Sequence, residues 1–277
     1  MRETLRKIIE ELTLTHGVDV SKYEGSFLER AFEKRIAKTG CGTASAYLHL
    51  LKQARNEGDE FINSLNISYT EFFRNSLTFS VLERIILPLI AIRKENNNRS
   101  EVRVWTAACA AGQEAYSLAI LLEELKKSDS EKNIFRIFAT DQSEAEVNIA
   151  RMGEYSSGAL ANITLKRMNQ WFNKTGDTFS VKPELKKNID FSVFDLFNSQ
   201  LCCPPSSIFG DFDLIVCANL LFYYKPEYQK VIIEKAGSCL AKDGFLVTGE
   251  AEREILLTNN YREVISQSAI FQKMERG

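Results

Sequence analysis

The stretch Val104–Ala119, "VWTAACAAGQEAYSLA", decides how the chain reads. An apolar run enters a loop of small residues, passes one glycine at Gly112, and meets an acidic helix start at Glu114. Strand, small-residue loop and helix in that order are the opening of a βαβ nucleotide-binding unit. The loop Ala-Ala-Cys-Ala-Ala-Gly nevertheless lacks G-x-G-x-x-G. A pyrophosphate needs closely approaching backbone donors at a helix N-terminus, and those glycines make the room.

An acid at that helix start repels phosphate. The site therefore suits a ligand with a ribose and an adenine, no phosphate, and a positive charge. S-adenosylmethionine meets these conditions. Asp141, ending "IFRIFATD", stands where an acid takes ribose hydroxyls.

Outward from this stretch the period is that of an α/β domain. "VRVWT", "IFRIFAT", "IDFSVF", "FDLIVCA" and "GFLVTG" are short runs rich in β-branched and aromatic residues. "QEAYSLAILLEELKK", "SEAEVNIARMGEY" and "PEYQKVIIEKAGSCLA" are helical segments between them. This alternation predicts an α/β fold, a Rossmann-like, mostly parallel sheet covered on both faces. "SSGALANITLKRMNQWFNKTGDTFSVKPELKKN" interrupts it and predicts a small inserted hairpin near 156–188. Residues 1–90 read as a small all-helical domain with its linker, and 91–277 as the sheet domain, parted by the polar break "ENNNRSE".

In the helical part, "SFLERAFEKRIAKTG" turns Phe27, Ala31 and Ile36 toward a core. Arg30, Lys34 and Lys38 fall at i, i+4 and i+8 and share one face, with Arg35 nearby. Gly40 and Gly42 end that helix, and Thr43 caps the next. Ser80 is a cap for "FSVLERIILPLIAIRK", and Pro88 bends it.

The 277 residues carry a net charge of -2, with 44% hydrophobic and 26% charged residues. That balance fits a globular chain and gives no support to bulk nucleic-acid binding. No apolar run approaches a membrane span, and the charged N-terminus has no signal-peptide core, so a cytoplasmic protein is expected. The six cysteines form no C-x-x-C pair, so reduced thiols are expected and no metal.

Ligands of an open parallel sheet bind at the carboxyl ends of its strands. Glu114, Asp141, Asp195 and Asn219 fall at such ends. Each alone also has an ordinary role: Glu114 as a helix-dipole partner, Asp141 as an N-cap, Asp195 and Asn219 as loop residues. Both histidines, His16 and His49, lie in the helical part, so the sheet domain has no histidine base. Transfer to a hydroxyl or amine wants a base, whereas a carboxylate nucleophile is already ionised at neutral pH.

Several segments together resemble the CheR-type chemotaxis receptor methyltransferases, from about Ser26 to about Glu252. "SYTEFFRN" resembles that family's Thr-x-Phe-Phe-Arg signature, and "RVWTAACAAGQEAYSLA" its cofactor loop, with Gly-x-Glu-x-Tyr-Ser intact. "FATDQSEAEVNIARMGEY" and "FDLIVCANLLFYY" resemble two further segments. The resemblance implies methyl transfer from S-adenosylmethionine to glutamate side chains of membrane chemoreceptors, leaving S-adenosylhomocysteine. Alternatives are a CheR-like methyltransferase of another protein or a small acid, and a non-catalytic cofactor-binding scaffold.

Carried across, Ser68, Thr70 and Arg74 would hold the methionine end of the cofactor. Ala108, Gly112 and Glu114 would line its pocket, and Asp141 would take the ribose. Asp195 and Leu196 would border the adenine, with Asn219 and Leu220 beside the methionine. Tyr223, with Arg74, would stand near the transferred methyl. Arg30, Lys34, Arg35 and Lys38 would meet glutamate-rich receptor helices. A monomer without direct membrane insertion is expected, although the sequence alone does not fix the oligomeric state.

Three departures from the pattern stand out: Ala218 replaces an arginine, Ser68 an asparagine, and "GEAE", Gly249–Glu252, replaces Gly-His-Ser-Glu. Some family members tether to a receptor C-terminal peptide through the inserted β element. The hairpin "WFNKTGDTFSV" is short, so that tether is not expected.

Overall fold

The amphipathic segments at the start of the chain form four helices: α1 (Arg2–His16), α2 (Gly25–Thr39), α3 (Ala44–Gln53) and α4 (Arg55–Ser64). They belong to a computed structural model that describes residues 2–17, 19–65, 69–96, 101–125, 134–207 and 209–274. Local chemistry sets their ends. Thr43 accepts a hydrogen bond from the Ala46 N–H at 3.2 Å, and Gly40 closes α2 at φ 71°, where a side chain would be strained. Phe32 stacks on Phe61 at 4.3 Å, with Ile8, Leu12, Leu28 and Leu51 buried beside them.

Arg35 is also in this core, only 6% exposed. Its guanidinium grips the Glu57 carboxylate at 2.9 and 2.6 Å, and the Tyr47 hydroxyl donates to the same carboxylate at 2.8 Å. This corrects the expectation that Arg35 joins the receptor-facing stripe; Arg30, Lys34 and Lys38 are exposed. Leu28 and Phe32 fill the core, while Phe27 and Ile36 are half-buried.

The chain divides into two compact units after Ile67 rather than near residue 90. The reason is packing. Phe72, Phe73, Phe79, Leu82, Ile86 and Ile90 share one buried cluster with Val104, Leu118 and Ile137 of the sheet domain. These residues lie on α5 (Ser76–Val81), a π-helical turn at Leu82–Ile86, and α6 (Leu87–Asn96), with the loop before them. The helix starts after Asn75, so Ser80 is internal to it and donates to the Ser76 carbonyl. The Leu87 N–H donates to the Leu82 carbonyl at the end of the π turn, just before Pro88, which has no N–H to donate. Part of the polar break, residues 97–100, lies outside the described residues.

The sheet domain then runs β1 (Glu101–Thr106), α7 (Gln113–Leu125), β2 (Ile134–Asp141) and α8 (Glu144–Met152). The insertion follows: β3 (Glu154–Ser156), α9 (Leu165–Trp171), β4 (Phe172–Thr175), β5 (Thr178–Val181) and α10 (Pro183–Lys186). Last come β6 (Ile189–Val193), β7 (Phe212–Val216), α11 (Pro226–Cys239), β8 (Leu240–Val247), α12 (Arg253–Leu257), β9 (Tyr261–Glu263) and β10 (Ile270–Lys273).

Seven strands form one sheet in the order β6-β2-β1-β7-β8-β10-β9. The pairs from β6 through β8 are parallel, and β10 runs antiparallel to both β8 and β9. Buried on both faces, β7 has every residue in the core, as a covered parallel strand should. The insertion is a three-stranded antiparallel sheet, β3-β5-β4, one strand more than the expected hairpin. Arg167 of α9 pins it by gripping Glu124 at 2.7 Å and Glu83 at 2.6 Å.

The segment Phe222–Gln229 clusters with the helical unit. It is sewn to the stretch before α2: the Glu24 N–H donates to the Tyr223 carbonyl at 2.8 Å, and the Lys225 N–H to the Lys22 carbonyl at 3.0 Å. Tyr224 stacks on Tyr23 at 4.9 Å. Among the described residues, no helix is long and apolar enough to cross a membrane.

Candidate cofactor site

The strand order reverses between β1 and β7, with β2 and β6 laid down on one side and β8 on the other. That switch point opens a crevice at the carboxyl ends of the strands. The loops leaving β1, β2 and β7 deliver Ala108, Gly112, Glu114, Asp141, Asn219 and Leu220 there.

The loop after β1 is held by backbone bonds rather than by glycine. The Ala107 N–H donates to the Val216 carbonyl at 2.8 Å, and the Cys109 N–H to the Thr140 carbonyl at 2.9 Å. Ala110 takes φ 44°, and its N–H donates to the Asp141 carboxylate at 3.0 Å. Gly112 sits at φ 92°, and a Cβ there would come within 2.8 Å of Ala150 Cβ. The one glycine of the loop is thus required by the packing of α8 against it. Ala108 is half-buried.

Asp141 is buried, which pushes its carboxyl up, while backbone N–H groups including those of Ser143 and Ala110 hold it down. Each of its oxygens accepts one backbone bond, from Ser143 at 2.9 Å and from Ala110 at 3.0 Å. A carboxylate offers about four lone-pair sites, so acceptor capacity is left for a diol. The Phe194 N–H donates to the Asp141 carbonyl at 2.9 Å, which places the following residues at the end of β2. Of these, Leu196 is buried and Asp195 is exposed, accepting from the Phe197 N–H at 2.9 Å.

Glu114 opens α7. Its carboxyl is pushed up to about 8, by burial first; Arg74 opposes the rise and Glu252 adds to it. Part of the residue remains accessible, as a crevice wall should be. Among the described residues, neither a hydrogen bond nor an ion pair answers it. Arg74 is half-buried, donates to the Tyr69 carbonyl at 3.0 Å and lies 4.9 Å from the Tyr69 ring. Thr70 is half-buried four residues before Arg74, and Ser68 lies outside the described residues.

Asn219 takes φ 59°, a left-handed conformation that asparagine tolerates better than most residues. Its N–H and those of Leu221 and Gly249 all donate to Glu252, the last residue of the "GEAE" motif, which the sequence marked as a departure from the family pattern without giving Glu252 a role. Tyr223, placed by sequence in the sheet domain, belongs to the helical unit's cluster. There its ring meets Phe27 edge-on at 4.9 Å, and no hydrogen bond reaches its hydroxyl among the described residues.

The residues fit S-adenosylmethionine. Asp141 has spare acceptors for a ribose, the acidic helix start excludes phosphate, and Glu114 is an unanswered acid suited to a cation. Among the described residues, no cluster of His, Cys, Asp or Glu could hold a metal ion. Burial pushes the Cys109 and Cys217 thiols well up, so both stay protonated.

A doubly wound sheet with such a site at its switch point is the architecture of an S-adenosylmethionine-dependent methyltransferase domain. The chain belongs to the CheR methyltransferase family: residues 68–270 match "CheR methyltransferase, SAM binding domain" and residues 3–65 match "CheR methyltransferase, all-alpha domain". It is 32% identical to a chemotaxis protein methyltransferase of Listeria innocua over 86% of this chain and 85% of that protein. It is 28% identical to that of Escherichia coli over 89% and 83%. A 104.1 kDa protein of Rhodobacter capsulatus matches at 28% over 99% of this chain, which spans 28% of its length.

Proposed function

We propose that this chain transfers the methyl group of S-adenosylmethionine to glutamate carboxylates on the cytoplasmic helices of chemoreceptors, forming glutamyl methyl esters. It does so in the cytoplasm, as a monomer. The observation that carries the reading is the acid pair at the switch point, a buried Asp141 with acceptors to spare and a Glu114 that no hydrogen bond or ion pair answers among the described residues.

Bound there, S-adenosylmethionine would supply a methyl activated by its sulfonium: a carboxylate oxygen bonds to that carbon as the carbon–sulfur bond breaks, S-adenosylhomocysteine leaves, and no proton need be removed. The chain therefore needs to orient rather than to deprotonate. Asp141, bordered by Asp195 and Leu196, binds the nucleoside end. Arg74, Thr70, Glu114, Asn219 and Leu220 hold the methionine end. In the role the family resemblance implies, the Tyr223 hydroxyl, which no hydrogen bond reaches among the described residues, would donate to the incoming carboxylate and turn one oxygen toward the methyl. Arg30, Lys34 and Lys38 of α2 attract the acidic receptor helix.

The test uses methyl-labelled S-adenosylmethionine and a receptor cytoplasmic fragment. Base-labile label on glutamates supports the reading. Cofactor binding without transfer to that fragment contradicts the substrate and directs attention to another protein or a small acid. Tyr223→Phe should lower turnover by about tenfold or more while leaving cofactor affinity within about twofold. Normal turnover removes the hydroxyl from the mechanism.

A further inference from the structure

Glu252 is fully buried, with 0% exposure, and its carboxylate works as a clasp. Oε2 accepts the N–H groups of Asn219 at 2.8 Å and Gly249 at 2.7 Å. Oε1 accepts the N–H of Leu221 at 2.6 Å. Two loops leaving adjacent parallel strands, β7 and β8, are thereby closed onto one side chain.

Gly249 completes the device. Its φ is -71°, so it is not required for conformation. A Cβ there would lie 2.9 Å from Asn219 Oδ1, 3.0 Å from the Asn219 backbone N and 3.0 Å from Glu252 Oε2. The glycine leaves the gap that lets the carboxylate reach Asn219. Asn219 in turn is held left-handed at φ 59°. Leu221 opens the short 3-10 turn Leu221–Tyr223. One carboxylate thus fixes both ends of the Asn219–Leu221 turn.

We propose that Glu252 is a positioning residue of the cofactor site, holding Asn219 and Leu220 in place through the backbone of their turn. The inference rests on the reading of this crevice as the S-adenosylmethionine site. Its chemistry demands a carboxylate. Three donors need two acceptor oxygens, and a glutamine would turn an NH₂ toward at least one backbone N–H. The charged and titratable groups around Glu114 are Arg74, Glu252, Cys109 and Cys217. Removing the Glu252 charge leaves Arg74 less opposed, so Glu114 ionises at lower pH.

The experiment is calorimetry of S-adenosylmethionine binding to the full chain between about pH 6 and 9, wild type first. Wild-type binding is the control for the cofactor reading; without it that reading fails, whatever Glu252 does. With it, Glu252→Gln should weaken binding by about tenfold or more and move the pH midpoint of binding downward. A purely structural residue would lower thermal stability without moving that midpoint. Glu252→Asp keeps the charge, so it should hold the midpoint and recover part of the affinity. A folded Glu252→Gln with wild-type affinity and midpoint overturns the inference. Should Glu252→Gln fail to fold, a folded Glu252→Asp with wild-type affinity overturns it too.

Discussion

Glu57 in the helical unit and Glu114 in the sheet domain are both acids enclosed by protein, yet among the described residues only Glu57 of the two is answered by a hydrogen bond or ion pair. It receives two guanidinium bonds from Arg35 and a hydroxyl bond from Tyr47. No such partner meets Glu114 among the described residues, and its carboxyl is pushed up to about 8. A buried charge costs heavily unless paired, so the answered acid holds structure together. The unanswered one stores unfavourable energy that a cationic ligand relieves. Glu252 stands between these cases: it is answered, but by the backbone of the site itself.

The largest effect should come from breaking the answered pair. Arg35→Ala leaves Glu57 buried without its cation and should destabilise the protein by about 3–5 kcal/mol. Denaturant midpoints will read this, and cofactor affinity of the folded protein should stay at the wild-type value. Asp141→Ala removes the ribose acceptors and should weaken cofactor binding about 100-fold, near 3 kcal/mol. Unchanged affinity in calorimetry would remove Asp141 from the site.

Glu114→Gln sharpens the comparison because its two effects have opposite signs. A folded-state pKa raised to about 8 means that this acid's contribution to stability is fully present below its unfolded pKa and is lost as pH rises through about 8. The glutamine should therefore stabilise the ligand-free protein near pH 8, by about 1–2 kcal/mol after allowing for the acid's partial access to solvent. It should also weaken cofactor binding. In the wild type, affinity for the cationic cofactor should rise with pH up to about 8 and then level; in the variant the profile should be flat. The smallest effect on stability belongs to Lys34→Glu with Lys38→Glu. Both side chains are exposed, so unfolding should shift by less than about 0.5 kcal/mol. Receptor methylation should nevertheless fall sharply, and a normal rate would clear the stripe of any docking role.

The strands were legible where the sheet is covered on both faces, because such strands read as continuous apolar runs. "FDLIVCA" became β7 for that reason. The antiparallel edge was not: β9 is the three residues Tyr261–Glu263, too short for any period to register. The domain boundary differs from the expected one because helical segments lie on both sides of it, α4 before and α5 and α6 after. Periodicity says that a segment is helical and not which core it joins; the Phe72 and Phe73 pair settles that by packing.

Glu114 and Asp141 were legible from their places at a helix start and a strand end. Arg35 was misread because its partner lies 22 residues away along the chain. The role of Glu252, within a motif the sequence did mark, is not legible because its three donors come from two loops that only the fold brings together. Where the environment of a side chain is local, the sequence announces it. Where that environment is assembled from distant loops, only the structure does.

The most direct measurement is calorimetry of S-adenosylhomocysteine against the wild-type chain, with NAD as the control. The account predicts one site of roughly micromolar affinity, about -8 kcal/mol, and no heat with NAD. Binding of NAD, or the absence of S-adenosylhomocysteine binding, would contradict it.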